Sequence, residues 1–117
     1  IRYPTPARHD AERDEALRQT DEVIATARKR IQSLDEQRQK IETELDFYRK
    51  NPAKAPTSLK RQIDENLRSV QAQNNFIADK LAEKDRVRQR FGAERVRLEG
   101  LWAQQAAPPA QRPPASR

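Results

Sequence analysis

The chain of 117 residues contains no cysteine, no methionine and only two glycines, and aromatic side chains make up 5% of it. The lack of cysteine excludes disulfides and thiolate metal sites. No apolar run approaches the roughly 18 residues that a membrane-spanning helix needs, so no transmembrane segment is predicted. Because the sequence opens at Ile1 rather than at a methionine, we expect a processed product or a fragment.

Charged residues make up 36% of the chain and hydrophobic residues 34%, against about 25% and about 45–50% in typical globular domains. Such a composition does not supply a thick globular core. Alanine, leucine, glutamine, glutamate, lysine and arginine dominate, and these residues favour helices. The composition therefore predicts an all-α protein with long, solvated helices and one narrow apolar seam.

Prolines divide the chain into segments. The predicted order is an extended lead-in over 1–6, helix 1 over 7–50, a turn over 51–58, helix 2 over 59–105 and a disordered Pro-rich C-terminal tail over 106–117. Pro52 and Pro56 cannot continue a helix interior, so they separate the two helices. Thr57 or Ser58 is placed to cap the second helix.

Apolar residues recur at the a and d positions of a heptad in both long segments, which is typical of a coiled coil. The predicted hairpin seam consists of Leu17, Ile24, Ile31, Leu34, Ile41, Leu45, Ile63, Leu67, Val70, Ile77, Leu81, Phe91, Leu98 and Trp102. Arg38, Lys84 and Arg88 interrupt this seam, and we expect them to extend their charged ends to water. Asn74 also interrupts it, and either fixes the register or turns its amide to the edge of the seam.

The two helices are predicted to fold back on each other as an antiparallel coiled-coil hairpin. A turn centred on Lys54 places Leu45 opposite Ile63 and Leu34 opposite Asn74, so that a positions meet d positions. Two helices bury only one seam, and this favours a homo-oligomer in which two hairpins form a four-helix bundle. Val23, Phe47 and Phe76 lie off the seam and could supply the second contact.

No catalytic, cofactor-binding or metal-binding residues are predicted. Carboxylates occur in runs of mixed sign, which is typical of a solvated helix face rather than of an acid–base pair. His9 is the only histidine and has no second ligand at a useful spacing, so we expect an exposed bystander near the N-terminus. These features predict that the chain is not an enzyme.

A basic cluster extends from Lys84 to Arg97 in the second helix. Arg86, Arg90 and Arg97 share one helix face and could contact the phosphates of RNA, of DNA or of an anionic membrane. Carboxylates are interleaved with them, and Glu94 is spaced to pair with Arg90 or Arg97. A salt-bridged, solvated face is therefore the alternative interpretation.

Three stretches, residues 45–52 (LDFYRKNP), 58–66 (SLKRQIDEN) and 97–103 (RLEGLWA), resemble small proteobacterial helical-hairpin proteins of unknown function, some of them exported. The opening residues 1–6 (IRYPTP) are similar as well. The resemblance extends over nearly the whole chain except the tail. It implies no activity, and it favours an exported or periplasmic location.

These observations lead to three functional hypotheses. The first is a non-catalytic structural or protein–protein interaction module that self-associates through helix packing. The second is an RNA- or tRNA-binding helical arm that uses the basic face of the second helix. The third is a peripheral envelope protein that contacts a membrane surface.

Overall fold

The computed structural model of the chain describes residues 5–106, which form two long helices. Helix α1 extends over Pro6–Asp46 and helix α2 over Thr57–Ala106, and a short 3-10 turn, Pro52–Lys54, lies between them. Residues 5–106 contain no strand. The predicted all-α hairpin of two helices is therefore confirmed.

Helix α1 begins at Pro6, which was predicted to lie in the extended lead-in. The Arg8 backbone N–H donates to Thr5 Oγ1 at 3.3 Å, and the His9 N–H donates to the Thr5 carbonyl at 3.3 Å. Thr5 is thus the N-cap and Pro6 the first helical residue, where a missing N–H leaves no bond unmade. Residues 1–4 of the predicted lead-in and residues 107–117 of the predicted tail lie outside the described residues, whereas Ala106, which was predicted in the tail, ends helix α2.

The connection between the helices begins at residue 47 rather than at the predicted residue 51. Helix α1 ends at Asp46 instead of residue 50, and the N–H groups of Phe47, Tyr48 and Arg49 each donate to the carbonyl three residues earlier. Such bonds tighten the end of a helix into 3-10 geometry. Asn51 has φ −143° and ψ 78°, outside the α region that a following proline disfavours.

Helix α2 begins two residues before its predicted start. The Pro56 carbonyl accepts hydrogen bonds from the N–H groups of Leu59, at 3.1 Å, and Lys60, at 3.4 Å. Pro56 thus occupies the capping position through its carbonyl group, and Thr57 and Ser58 lie inside the helix. The predicted cap at Thr57 or Ser58 is therefore wrong.

The packing divides into two units. The turn unit comprises residues 21–81, and the terminal unit comprises the described residues 5–20 and 82–106. In the turn unit, Ile24, Ala27 and Ile77 form a buried cluster against which Ile31 packs. Leu34, Ile41, Ala55 and Leu59 are also buried in this unit. In the terminal unit the buried residues are His9, Phe91 and Leu98.

The residues of the predicted seam differ in how far they are buried. Six of its members are buried: Ile24, Leu34, Ile41, Ile77, Phe91 and Leu98. Six are half-buried: Leu17, Ile31, Leu45, Ile63, Val70 and Trp102. Leu67 and Leu81 remain 49% and 42% exposed. A straight helix drifts against a seven-residue repeat, and the buried position moves from Leu67 to its neighbour Asn66, which is 4% exposed.

The register differs from the predicted one. Leu34 lies opposite Asn66 rather than Asn74, which is exposed. The connection spans residues 47–56, so its midpoint lies between Asn51 and Pro52 rather than at Lys54. This midpoint moves the facing positions by about five residues, and at Leu34 the contacting residue lies eight positions earlier than predicted, at 66 instead of 74, which is about two helical turns.

Candidate interaction surfaces

A buried asparagine joins the two helices inside the turn unit. Asn66 Nδ2 donates to the Leu34 backbone carbonyl at 2.7 Å. The Asn66 Oδ1 atom is buried, and it has no hydrogen-bond partner among the described residues. A polar group in a thin apolar seam can specify one register at a cost in stability. Asn66, rather than Asn74, is therefore the polar residue of the seam that can fix the register of the two helices.

A hollow of about 500 Å³ lies beside Asn66 and is lined by residues of both helices, including Leu34, Ile41, Gln62 and Ser69. Its remaining lining is charged or amide-bearing: Arg30, Gln37, Lys40, Glu44 and Glu65. The hollow is therefore a mostly polar groove with an apolar floor.

His9 is a buried member of the terminal unit, and the prediction of an exposed bystander is wrong. The residue is 0% exposed, and its Nε2 atom lies 3.0 Å from Glu94 Oε1. Its ring packs against Phe91, with centroids 5.3 Å apart, and edge-on against Trp102 at 6.1 Å. The N-terminal cap at Thr5 extends helix α1 far enough to bring His9 against helix α2.

A second polar contact lies beside His9. The Arg95 guanidinium donates to Asp10 Oδ1, and it also pairs with Glu99 at 3.0 Å. The hydrogen bond from Arg95 holds the pKa of Asp10 below its ordinary value of 3.8. The same two carboxylates raise the pKa of Arg95, so its charge persists at any accessible pH. The terminal unit therefore combines a small aromatic core with charge-assisted bonds between the helices.

The three predicted phosphate contacts lie on the exposed surface of helix α2. Arg86, Arg90 and Arg97 are all exposed, and none has an ion pair with a carboxylate among residues 5–106. Glu94 was predicted to neutralise Arg90 or Arg97, but it contacts His9 instead. The Arg90 guanidinium lies 5.4 Å from the Phe91 ring centroid. These cations therefore remain available to an anionic partner.

An apolar patch lies on the outside of the turn unit. Val23 and Phe76 are 40% and 39% exposed, and each immediately precedes a member of the buried Ile24–Ile77 pair. In antiparallel helices, one step back along each chain turns both side chains towards the same face of the hairpin. We call Val23 and Phe76 the apolar face. The Lys80 ammonium lies over the Phe76 ring, 5.6 Å from its centroid.

The turn presents a surface that the sequence analysis missed. Phe47 is 83% exposed, and exposed basic side chains follow it. We call the following set the basic turn surface: Phe47, Arg49, Lys50, Lys54 and Lys60. A shallow hollow beside it is lined by Leu45, Tyr48, Pro52 and Ala55, together with Glu42, Asp46, Arg49 and Lys60. A charge count limited to residues 47–61 would have revealed this surface, because it contains five basic residues and no acidic one.

Two further findings concern the described part of the chain. No group of three or more histidine, cysteine, aspartate or glutamate side chains is placed to hold a metal ion within residues 5–106. Neither helix contains a described stretch that is long and apolar enough to span a bilayer.

The chain matches no protein-family model, and neither a curated protein nor a solved structure is significantly similar to it. The resemblance to helical-hairpin proteins therefore stays a prediction, and any functional proposal depends on the surfaces of this chain.

Proposed function

We propose that the chain is a non-catalytic helical-hairpin module that acts through protein–protein contacts and associates with a second copy of itself. The observation that carries this proposal is the division of its apolar residues. Seven large apolar side chains are 39% exposed or more: Val23, Phe47, Leu67, Phe76, Leu81, Val96 and Leu101. The described core buries seven as well, together with two alanines. One hairpin thus covers only part of its apolar surface.

The apolar face is the contact that we assign to the second copy. Val23 and Phe76 come from different helices, and a twofold axis through the face would bring each against the other residue of the partner. Net charge on the α1 side does not oppose this contact, because residues 1–50 contain 11 basic and 11 acidic side chains.

Charged substitutions on the apolar face test this proposal. The double variant Val23→Glu, Phe76→Glu is expected to stay a monomer at concentrations where the unmodified chain associates, because association would bury unpaired carboxylates. Size-exclusion chromatography with light scattering measures the mass. Val96→Glu is the matched control, since Val96 is 73% exposed and lies in the terminal unit. Equal masses for the unmodified chain and the double variant would refute the assignment of this face.

Nucleic-acid binding by helix α2 is a second candidate function. Its support is that Arg86, Arg90 and Arg97 have no ion pair with a carboxylate within the described residues. Three phosphate contacts predict an affinity that falls with salt, with a slope of about −2 to −3 on logarithmic axes. Arg90→Glu with Arg97→Glu should flatten that slope in a titration of labelled RNA. Absence of binding by the unmodified chain at low salt would exclude this function.

A further inference from the structure

We propose that the basic turn surface docks on the surface of an anionic lipid bilayer. This inference goes beyond self-association, because it concerns another surface and another class of partner. It depends on three features of the turn: an exposed aromatic ring, four exposed cations that form no ion pair with a described carboxylate, and a backbone most of whose N–H groups are bonded within the chain.

Phe47 supplies the apolar contact. Its side chain is 83% exposed, the largest value among the exposed large hydrophobic residues of the described chain. A single exposed apolar side chain is common on soluble proteins and needs no partner by itself. Phe47 differs because Asp46 precedes it but the next four charged residues, Arg49, Lys50, Lys54 and Lys60, are all basic. An exposed aromatic ring beside lysine and arginine is the combination that enters the headgroup region of anionic membranes.

The cations of the turn are free to meet an anionic surface. Arg49, Lys50, Lys54 and Lys60 are exposed, and none forms an ion pair with a described residue. Arg61 is the fifth cation of the segment and approaches Glu65 at 3.8 Å. No acidic residue occurs between positions 47 and 61. Glu42 and Asp46 line the hollow beside Arg49 and Lys60 but form no ion pair with them, so the four cations remain open to anionic lipid.

Most N–H groups of the turn backbone already have hydrogen-bond acceptors within the chain, so the turn can enter an interface of low polarity. The N–H groups of Phe47, Tyr48 and Arg49 are bonded to the end of helix α1, and those of Asn51, Lys54 and Ala55 to carbonyls three residues earlier. Burying an unbonded N–H group in lipid costs several kcal/mol. Because these bonds already exist and Pro52 restricts the backbone, little free energy is lost in ordering the turn on a membrane.

The turn favours lipid over single-stranded nucleic acid. Proteins that bind single strands stack successive bases on several aromatic side chains along a groove. The turn offers one largely exposed ring, since Tyr48 is half-buried. One ring with several exposed cations fits a plane of anionic headgroups better than a strand of bases.

Flotation of the full chain with vesicles tests this inference. We expect binding at low salt to vesicles made of equal parts phosphatidylglycerol and phosphatidylcholine, and none to phosphatidylcholine alone. Lys50→Glu with Lys54→Glu should lower the partition coefficient several hundredfold, at about fivefold for each of four charge units. Phe47→Ser should lower it roughly tenfold, because the inserted ring is lost.

The matched control is Arg28→Glu with Lys29→Glu, which changes the net charge by the same amount at exposed positions within helix α1. It should retain most of the binding, and circular dichroism should show unchanged helicity for every variant. Equal losses in the two double variants would overturn the proposal, because net charge alone would then explain binding. Absence of binding by the unmodified chain to anionic vesicles would also overturn it. Turn-dependent binding to polyuridylate without vesicle binding would assign the surface to nucleic acid instead.

Discussion

Replacement of Asn66 by leucine should stabilise the hairpin, although it removes a hydrogen bond between the helices. Asn66 is 4% exposed, and its Oδ1 atom is buried without a partner among the described residues. Burying such an acceptor costs about 1–3 kcal/mol, and the lost bond from Nδ2 to the Leu34 carbonyl contributes about 1 kcal/mol. The leucine side chain adds about 1.5–3 kcal/mol of hydrophobic stabilisation when buried. The neighbouring hollow of about 500 Å³ accepts its extra volume.

The net expectation for Asn66→Leu is a gain of at least about 1.5 kcal/mol in the free energy of unfolding. Urea denaturation followed by circular dichroism measures it, at one fixed protein concentration because association is linked to stability. Asn66→Ala separates the effect of removing the amide from the effect of adding apolar area, since it does only the first. It should change the free energy of unfolding less than Asn66→Leu does. A loss of more than about 1 kcal/mol in the leucine variant would show that Oδ1 is satisfied or that the seam has no room.

Three other perturbations have defined outcomes. His9→Ala should destabilise the chain by about 2–4 kcal/mol, because it leaves a cavity and removes a buried polar contact, and thermal unfolding measures this. Gly92→Ala and Gly100→Ala should each stabilise helix α2 by about 0.5–1 kcal/mol, since an added Cβ meets nothing within 4 Å at either site; a loss in urea denaturation would contradict this. The lowered pKa of Asp10 stabilises the fold above the ordinary aspartate value of 3.8 and ceases to do so as the pH falls through the lower folded value. Asp10→Asn should therefore flatten the pH dependence of the urea midpoint below about pH 4, and an unchanged profile would contradict the assigned Asp10–Arg95 bond.

The hairpin itself could be predicted because its signals are local. The apolar spacing of each segment and the prolines at 52 and 56 are enough to indicate two helices that fold back. The register could not be read in the same way. The register depends on where helix α1 ends. That end is decided by the hydrogen bonds that the N–H groups of Phe47, Tyr48 and Arg49 donate to carbonyls three residues earlier.

The two buried polar residues were missed for a different reason. The contact of His9 with Glu94 joins residues 85 positions apart, and the contact of Asn66 with Leu34 joins residues 32 apart. A local pattern does not report such pairs. A signal nevertheless existed for Asn66, because Leu59 lies one heptad before it.

The surfaces were predicted in part. Val23 and Phe76 were identified as off-seam residues, because their heptad positions exclude them from the first contact. The basic turn surface was missed because the charge count covered half the chain at a time, which averages a short basic segment with its acidic neighbours. Which partner covers each surface depends on molecules outside the chain, and no pattern within it specifies them.

Sedimentation equilibrium of the unmodified chain, from low micromolar to sub-millimolar concentration, tests self-association most directly. Self-association predicts a mass that rises with concentration from 13.6 kDa, the mass of one chain, to twice that value. It also predicts that Val23→Glu with Phe76→Glu abolishes the rise while helicity is retained. A mass that stays at that of one chain throughout the range would contradict the account, and the exposed apolar side chains would then require a different partner.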